Sequence, residues 1–95
     1  MSLNEVSINI PENQVSNVFG QFDVHIKKIE RALGVTVVLR GDQLKVIGNE
    51  ANAKAAISVF TQLITLANRG NVITEQNVNY ALALLEESKE SAIVD

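Results

Sequence analysis

Apolar and polar residues alternate at the start of the chain. Val6, Ile8 and Ile10 are separated by Ser7 and Asn9, the period-two pattern of a half-buried strand over residues 5–10. Pro11 stops that strand, and residues 12–19 have room for one or two helical turns before Gly20 ends them. Beyond Gly20 the period changes. Phe22, Ile26, Ile29 and Leu33 recur three or four residues apart, which places them on one apolar stripe of a helix. Asp23 stands at the N-cap position, where its carboxylate would accept from free backbone N–H groups, and Gly34 stands at the C-terminal stop.

Two β-branched runs follow, residues 35–40 and 43–48, joined by Gly41-Asp42, and they read as a hairpin. Alternation sends Val35, Val37, Leu39, Leu44 and Val46 to one face. Thr36, Val38, Arg40, Lys45 and Ile47 go to the other. Asn49 is placed to cap a helix running from about Glu50 to Asn68. Its inner stripe is Ala53, Ala56, Ile57, Phe60, Leu63, Ile64 and Ala67, widened by Val59 and Leu66. So wide an apolar arc predicts contact with both a sheet and another helix. Gly70 ends it, Thr74 caps a last helix, and Ile73 and Val78 have the spacing of a hydrophobic staple. Val78, Ala81, Leu82 and Leu85 form the stripe of that helix, and residues 88–95 are expected to fray.

Composition narrows the class. A chain of 95 residues with 46% hydrophobic positions is one small domain able to bury a core. It has no cysteine and one histidine, His25, which excludes a disulfide framework, a thiol nucleophile, a zinc knuckle and a multi-histidine metal site. No apolar run approaches the roughly 20 residues that span a bilayer. The first residues lack the basic-then-apolar form of a secretion signal. The expectation is a soluble intracellular domain.

The formal net charge is -3, yet the charge is unevenly placed. Residues 20–54 carry a net +2 and residues 55–95 a net -3. A locally basic half attracts polyanions over short range and in a salt-dependent way.

The run V-F-G-x-x-D-x-x-I-K-x-I-E-x-x-x-G-V from Val18 to Val35, followed by a hairpin ending in Gly48 and a helix, resembles the KH RNA-binding domain. Gly20 matches the first glycine of that family's GxxG loop, Ile26-Lys27 its isoleucine-lysine pair and Gly34 its pre-strand glycine. Asp23 replaces the second loop glycine. The segments FGQFDVHIKKIERALGV, GDQLKVIG and ANRGNVITEQNVNYALALLEE further resemble the N-terminal domain of PhoH-like proteins, over roughly residues 5–90. The resemblance implies an α+β fold of KH-like type (β-α-α-β-β-α), with a three-stranded sheet packed by helices on one face and an added C-terminal helix.

It also implies an accessory domain of a bacterial, cytoplasmic P-loop ATPase linked to RNA metabolism, which assembles into rings. ATP and Mg belong to a further domain, because this sequence has no G-x-x-x-x-G-K-[ST]. These 95 residues are then a domain cut from a longer protein, and no enzyme in their own right. Residues 1–4 are expected to be a disordered start, of the kind a cloning vector leaves, and residues 91–95 a tail leading toward the ATPase domain.

The partners implied are single-stranded RNA, the ATPase domain of the same chain and further copies in a ring, with no membrane. A GxxG loop works because glycines let phosphates approach the backbone with a helix N-terminus behind them. Gly20 and Gln21 are candidate backbone contacts of such a loop. Two readings of Gly20-Gln21-Phe22-Asp23 stay open: a helix start with Asp23 as its cap and Phe22 facing the core, or a clamp that the aspartate weakens.

Lys27, Lys28 and Arg31 fall within about 100° of one another on the helix, as a phosphate-tracking patch or as a solvated face with an Asp23–Lys27 pair. Arg40 and Lys45 are further candidates behind them. Val38 and Ile47, apolar on the sheet face turned away from the helices, are candidates for a docking surface. His25 reads as a helix-edge histidine. Glu86, Glu87 and Glu90 read as the polar side of the last helix, and the lone Tyr80 has no partner for base stacking.

Overall fold

The alternation at the start of the chain becomes β1 (Asn4–Asn9), the first strand of an antiparallel sheet ordered β1-β3-β2. The computed structural model describes residues 3–94, with side chains described through Leu85. β1 takes in Asn4, which pairs with Gly48, one residue ahead of the start that alternation marks. A 3₁₀ turn at Glu12–Gln14 leads into α1 (Val15–Phe19), and a second 3₁₀ turn at Gln21–Asp23 leads into α2 (Val24–Leu33). β2 (Thr36–Arg40) and β3 (Gln43–Gly48) form the hairpin, followed by α3 (Glu50–Asn68) and α4 (Glu75–Val94).

The register puts Val6 and Val37 on either side of Val46, and Ile8 and Leu39 on either side of Leu44. Those side chains share one sheet face because cross-strand partners point the same way. α3 packs against β1 and β3, and its other flank meets α1, α2 and α4. That double contact accounts for the breadth of its apolar arc: Ala53, Ala56, Val59, Phe60, Leu63, Ile64 and Ala67 are all buried. They join Ile10, Val18, Ile26, Ile29, Leu44, Val46, Ile73 and Val78 in one core. Leu39 departs from expectation. It lies on the inner face at the hairpin end, outside the buried core, and remains 36% exposed.

Caps fix the helix starts. The Asn49 side chain accepts from the Asn52 N–H at 2.8 Å. Thr74 and Asn77 cap each other: the Asn77 N–H donates to Thr74 Oγ1 at 3.2 Å, and the Thr74 N–H donates to Asn77 Oδ1 at 2.9 Å. Each satisfies a backbone donor that a helix start leaves free. α2 ends at Gly34, whose N–H reaches the Glu30 carbonyl at 2.8 Å and whose φ of 63° turns the chain so that the Val35 N–H reaches the same carbonyl at 3.2 Å.

β2 is an edge strand, and an edge exposes unpaired backbone groups. The Glu30 carboxylate covers one of them, accepting from the Val37 N–H at 2.8 Å. α4 runs on to Val94, through the segment expected to fray. The placement of Glu86, Glu87 and Glu90 lies outside the described side chains. Among the described residues, no helix is long and apolar enough to cross a membrane.

Candidate nucleic-acid interface

The loop between α1 and α2 is built around one glycine. Gly20 has φ 80°, and a Cβ placed on it would lie 2.6 Å from His25 Cδ2 and 2.9 Å from Val24 Cγ1. Both the dihedral and the space therefore require glycine. The Gly20 N–H closes α1 onto the Ser16 carbonyl at 3.0 Å, and the Gly20 carbonyl accepts from the Asp23 N–H at 3.1 Å. The chain reverses within those bonds. Phe22 (φ 56°) and Asp23 (φ 58°) both take the left-handed conformation, which non-glycine residues adopt at a cost, a bulky one above all.

This geometry corrects two expectations. Phe22 leaves the apolar stripe: the left-handed turn swings it outward, and it is 82% exposed. The stripe of α2 consists of Ile26 and Ile29, with Leu33 half-buried. Asp23 holds the N-cap position, but its side chain makes no capping hydrogen bond, because the N-cap normally requires an extended backbone rather than a left-handed one. Nor does it pair with Lys27. The ion pairs among the described residues are Lys28–Glu75, Lys45–Glu5 and Lys54–Glu50.

His25 is a third correction. It is buried rather than placed at a helix edge, 7% exposed, with Nε2 3.1 Å from the Ile73 carbonyl. A carbonyl only accepts, so Nε2 carries the proton. Asn17 on α1 grips the same connection. Its Nδ2 donates to the Asn71 carbonyl and its Oδ1 accepts from the Ile73 N–H, both at 2.8 Å. The helices on either side of the loop are thus bonded to residues 71–73, the segment from which α4 departs. Sequence periodicity carries no signal for this clamp, since the partners lie 48 to 56 residues apart.

The cations divide between two places. Lys27, Lys28 and Arg31 line a groove of about 480 Å³ together with Val24, Ala32 and Glu75. Lys28 is half-buried there and donates to Glu75 at 3.1 Å, whereas Lys27 and Arg31 are exposed. Three cations face one carboxylate, so the groove is electropositive beside a protein of net negative charge. Its wall follows α2 away from the loop, from Val24 to Ala32. Gln21 is exposed on the loop itself.

Arg40 and Lys45 lie elsewhere, on the outer sheet face with Val38 and Ile47. Lys45 faces Glu5 at 3.7 Å, and Val38 and Ile47 are half-buried. Tyr80 is exposed beside a smaller hollow of about 300 Å³ between α3 and α4, lined by Leu63, Leu66 and Ala81 among others. Among the described residues, no three His, Cys, Asp or Glu side chains are grouped to hold a metal.

No protein-family model matches the chain. Among curated proteins it is similar to the PhoH-like protein of Mycobacterium tuberculosis, 28% identical over 79 residues, which is 83% of this chain and 22% of that one. The PhoH-like protein of Bacillus subtilis is 25% identical over 77 residues, 81% of this chain and 24% of its own length. The chain therefore spans less than a quarter of the relatives it matches. Among solved structures it is similar to Dim2p from Pyrococcus horikoshii, with a TM-score of 0.68 and 20% identity over 85% of this chain and 48% of that one. By fold the chain is a KH-like α+β domain, and by sequence it is a relative of the PhoH-like proteins, matching a part of them that is under one quarter of their length.

Proposed function

We propose that this chain is an accessory domain of a PhoH-like ATP-binding protein, working in the cytoplasm, and that it binds single-stranded RNA weakly along α2. The observation that carries this reading is the electropositive groove of Lys27, Lys28 and Arg31, which begins at the Gly20–Asp23 loop of a KH-like fold. Phosphates gain from the cations and from the first-turn N–H groups of α2, which no side chain caps. Asp23 opposes them with one negative charge in the residue before Val24, where the groove begins, and Glu75 neutralises Lys28. Both features weaken binding. ATP and Mg belong to the ATPase part of such a protein, since this chain contributes no phosphate-binding loop.

The test is fluorescence anisotropy of a short single-stranded RNA at low and moderate salt. Binding should weaken as salt rises, with a slope that reflects only a few phosphates. Lys27→Glu and Arg31→Glu should each lower affinity by about tenfold or more, because each removes one phosphate contact and adds a repulsion. Absence of binding at low salt, or binding indifferent to both substitutions, would overturn the reading.

A second reading rests on the outer sheet face, where Val38 and Ile47 are half-buried diagonal neighbours with no helix over them. In this reading the domain joins the ATPase domain or a neighbouring copy in a ring. Val38→Ser with Ile47→Ser should lower self-association in sedimentation while leaving the melting transition in place; unchanged sedimentation would count against it.

A further inference from the structure

The Gly20–Asp23 loop spends conformational energy to expose an aromatic ring, and among the described residues that ring lies outside the core. A bulky residue in a left-handed conformation is strained by about 1–3 kcal/mol and persists only where its surroundings over-determine it. Here they do. Gly20 fits against His25 with no room for a Cβ, and His25 and Asn17 are bonded to residues 71–73. The Phe22 ring stands outside this frame, 82% exposed. Two residues further on, Val24 is 51% exposed and forms the loop end of the cationic groove.

The geometry points to Phe22 as a stacking platform for one nucleobase, whose flanking phosphates run toward Lys27 and Arg31. This rests on the RNA-binding reading above and deepens it. The GxxG resemblance assigns the loop to the sugar-phosphate backbone; the structure adds a base contact at its third position. Any base presents a π-face, so such a contact favours unpaired strands without selecting a sequence. An anchor phenylalanine in a protein interface sits among apolar neighbours from which charge is depleted. The groove that begins at Val24, two residues after Phe22, instead carries Lys27, Lys28 and Arg31, the complement of a nucleotide rather than of an apolar pocket.

The chain contains no tryptophan, so Phe22→Trp places a single tryptophan on the platform, whose emission is read apart from that of Tyr80. Titration with single-stranded RNA should quench that fluorescence. An abasic ribose-phosphate oligomer of equal length should leave it unquenched and bind about tenfold more weakly, in line with the contribution of one stacked base. Phe22→Ala should lower RNA affinity by about tenfold with the salt slope unchanged, because the phosphate contacts remain. An exposed ring is not needed for folding, so the same variant should keep its melting transition.

RNA binding that Phe22→Ala leaves intact, or that leaves the Phe22→Trp signal unchanged, would overturn this inference and spare the RNA-binding reading. If the unsubstituted chain binds no RNA, both fall. Quenching by an acidic peptide but not by RNA would overturn the nucleobase in favour of a protein partner.

Discussion

The core around α3 and the loop between α1 and α2 are made by opposite rules. In α3 every local preference agrees with the global fold: Asn49 caps the start, the apolar residues recur at helical spacing, and all seven of the most deeply set side chains are buried. In the loop the local preferences are overruled. Phenylalanine and aspartate occupy left-handed backbone, an apolar ring faces water and a capping residue makes no cap. Agreement across levels marks parts of a protein selected for folding, and its violation marks parts that carry strain or function.

The comparison breaks first in the core. Leu63 is fully buried in α3, and Leu63→Ala should cost about 3–5 kcal/mol through lost transfer energy and the cavity left behind. Against a total stability of roughly 5–15 kcal/mol, this would leave the domain marginal or unfolded in a urea titration. Next comes the loop's hinge. Gly20→Ala should cost about 2–4 kcal/mol, combining an alanine at φ 80° with a methyl forced against the His25 ring. The same titration reads it, and a loss under about 1 kcal/mol would show the loop to be looser than its geometry implies.

The smallest effect has the opposite sign. Asp23→Gly relieves a left-handed aspartate and should change stability by less than about 1 kcal/mol, upward if anything. It also removes a negative charge from the residue before Val24 of the groove, so under the RNA-binding reading it should raise RNA affinity and sharpen the contrast between the core and the loop.

Much of the fold was legible in the sequence. The order of elements, the hairpin, the limits of α3 and the Thr74 cap follow from periodicity and from turn and cap residues, all of them local signals. The site was legible only in part. Lys27, Lys28 and Arg31 share a helix face by spacing alone, and the structure sets them in one groove. Arg40 and Lys45 were grouped with them by charge, yet strand alternation carries those two to the outer face of the sheet. Phe22 falls on the apolar stripe by spacing, but the left-handed backbone of the loop breaks helical periodicity before it. His25, Asn17, Glu30 and Glu75 each find a partner through tertiary contact, and no local pattern encodes that.

The clamp on residues 71–73 bears on the order in which the molecule assembles. The hairpin and α3 draw on contacts close in sequence and can form early, whereas Asn17 and His25 must wait for a segment some 50 residues downstream. Contacts of such long range reward the chain only after loop closure has been met. The final shape of the Gly20–Asp23 loop therefore depends on residues 71–73 being in place. Ile73 and Val78 belong to the core as well, so docking of the root of α4 completes the core and the loop together.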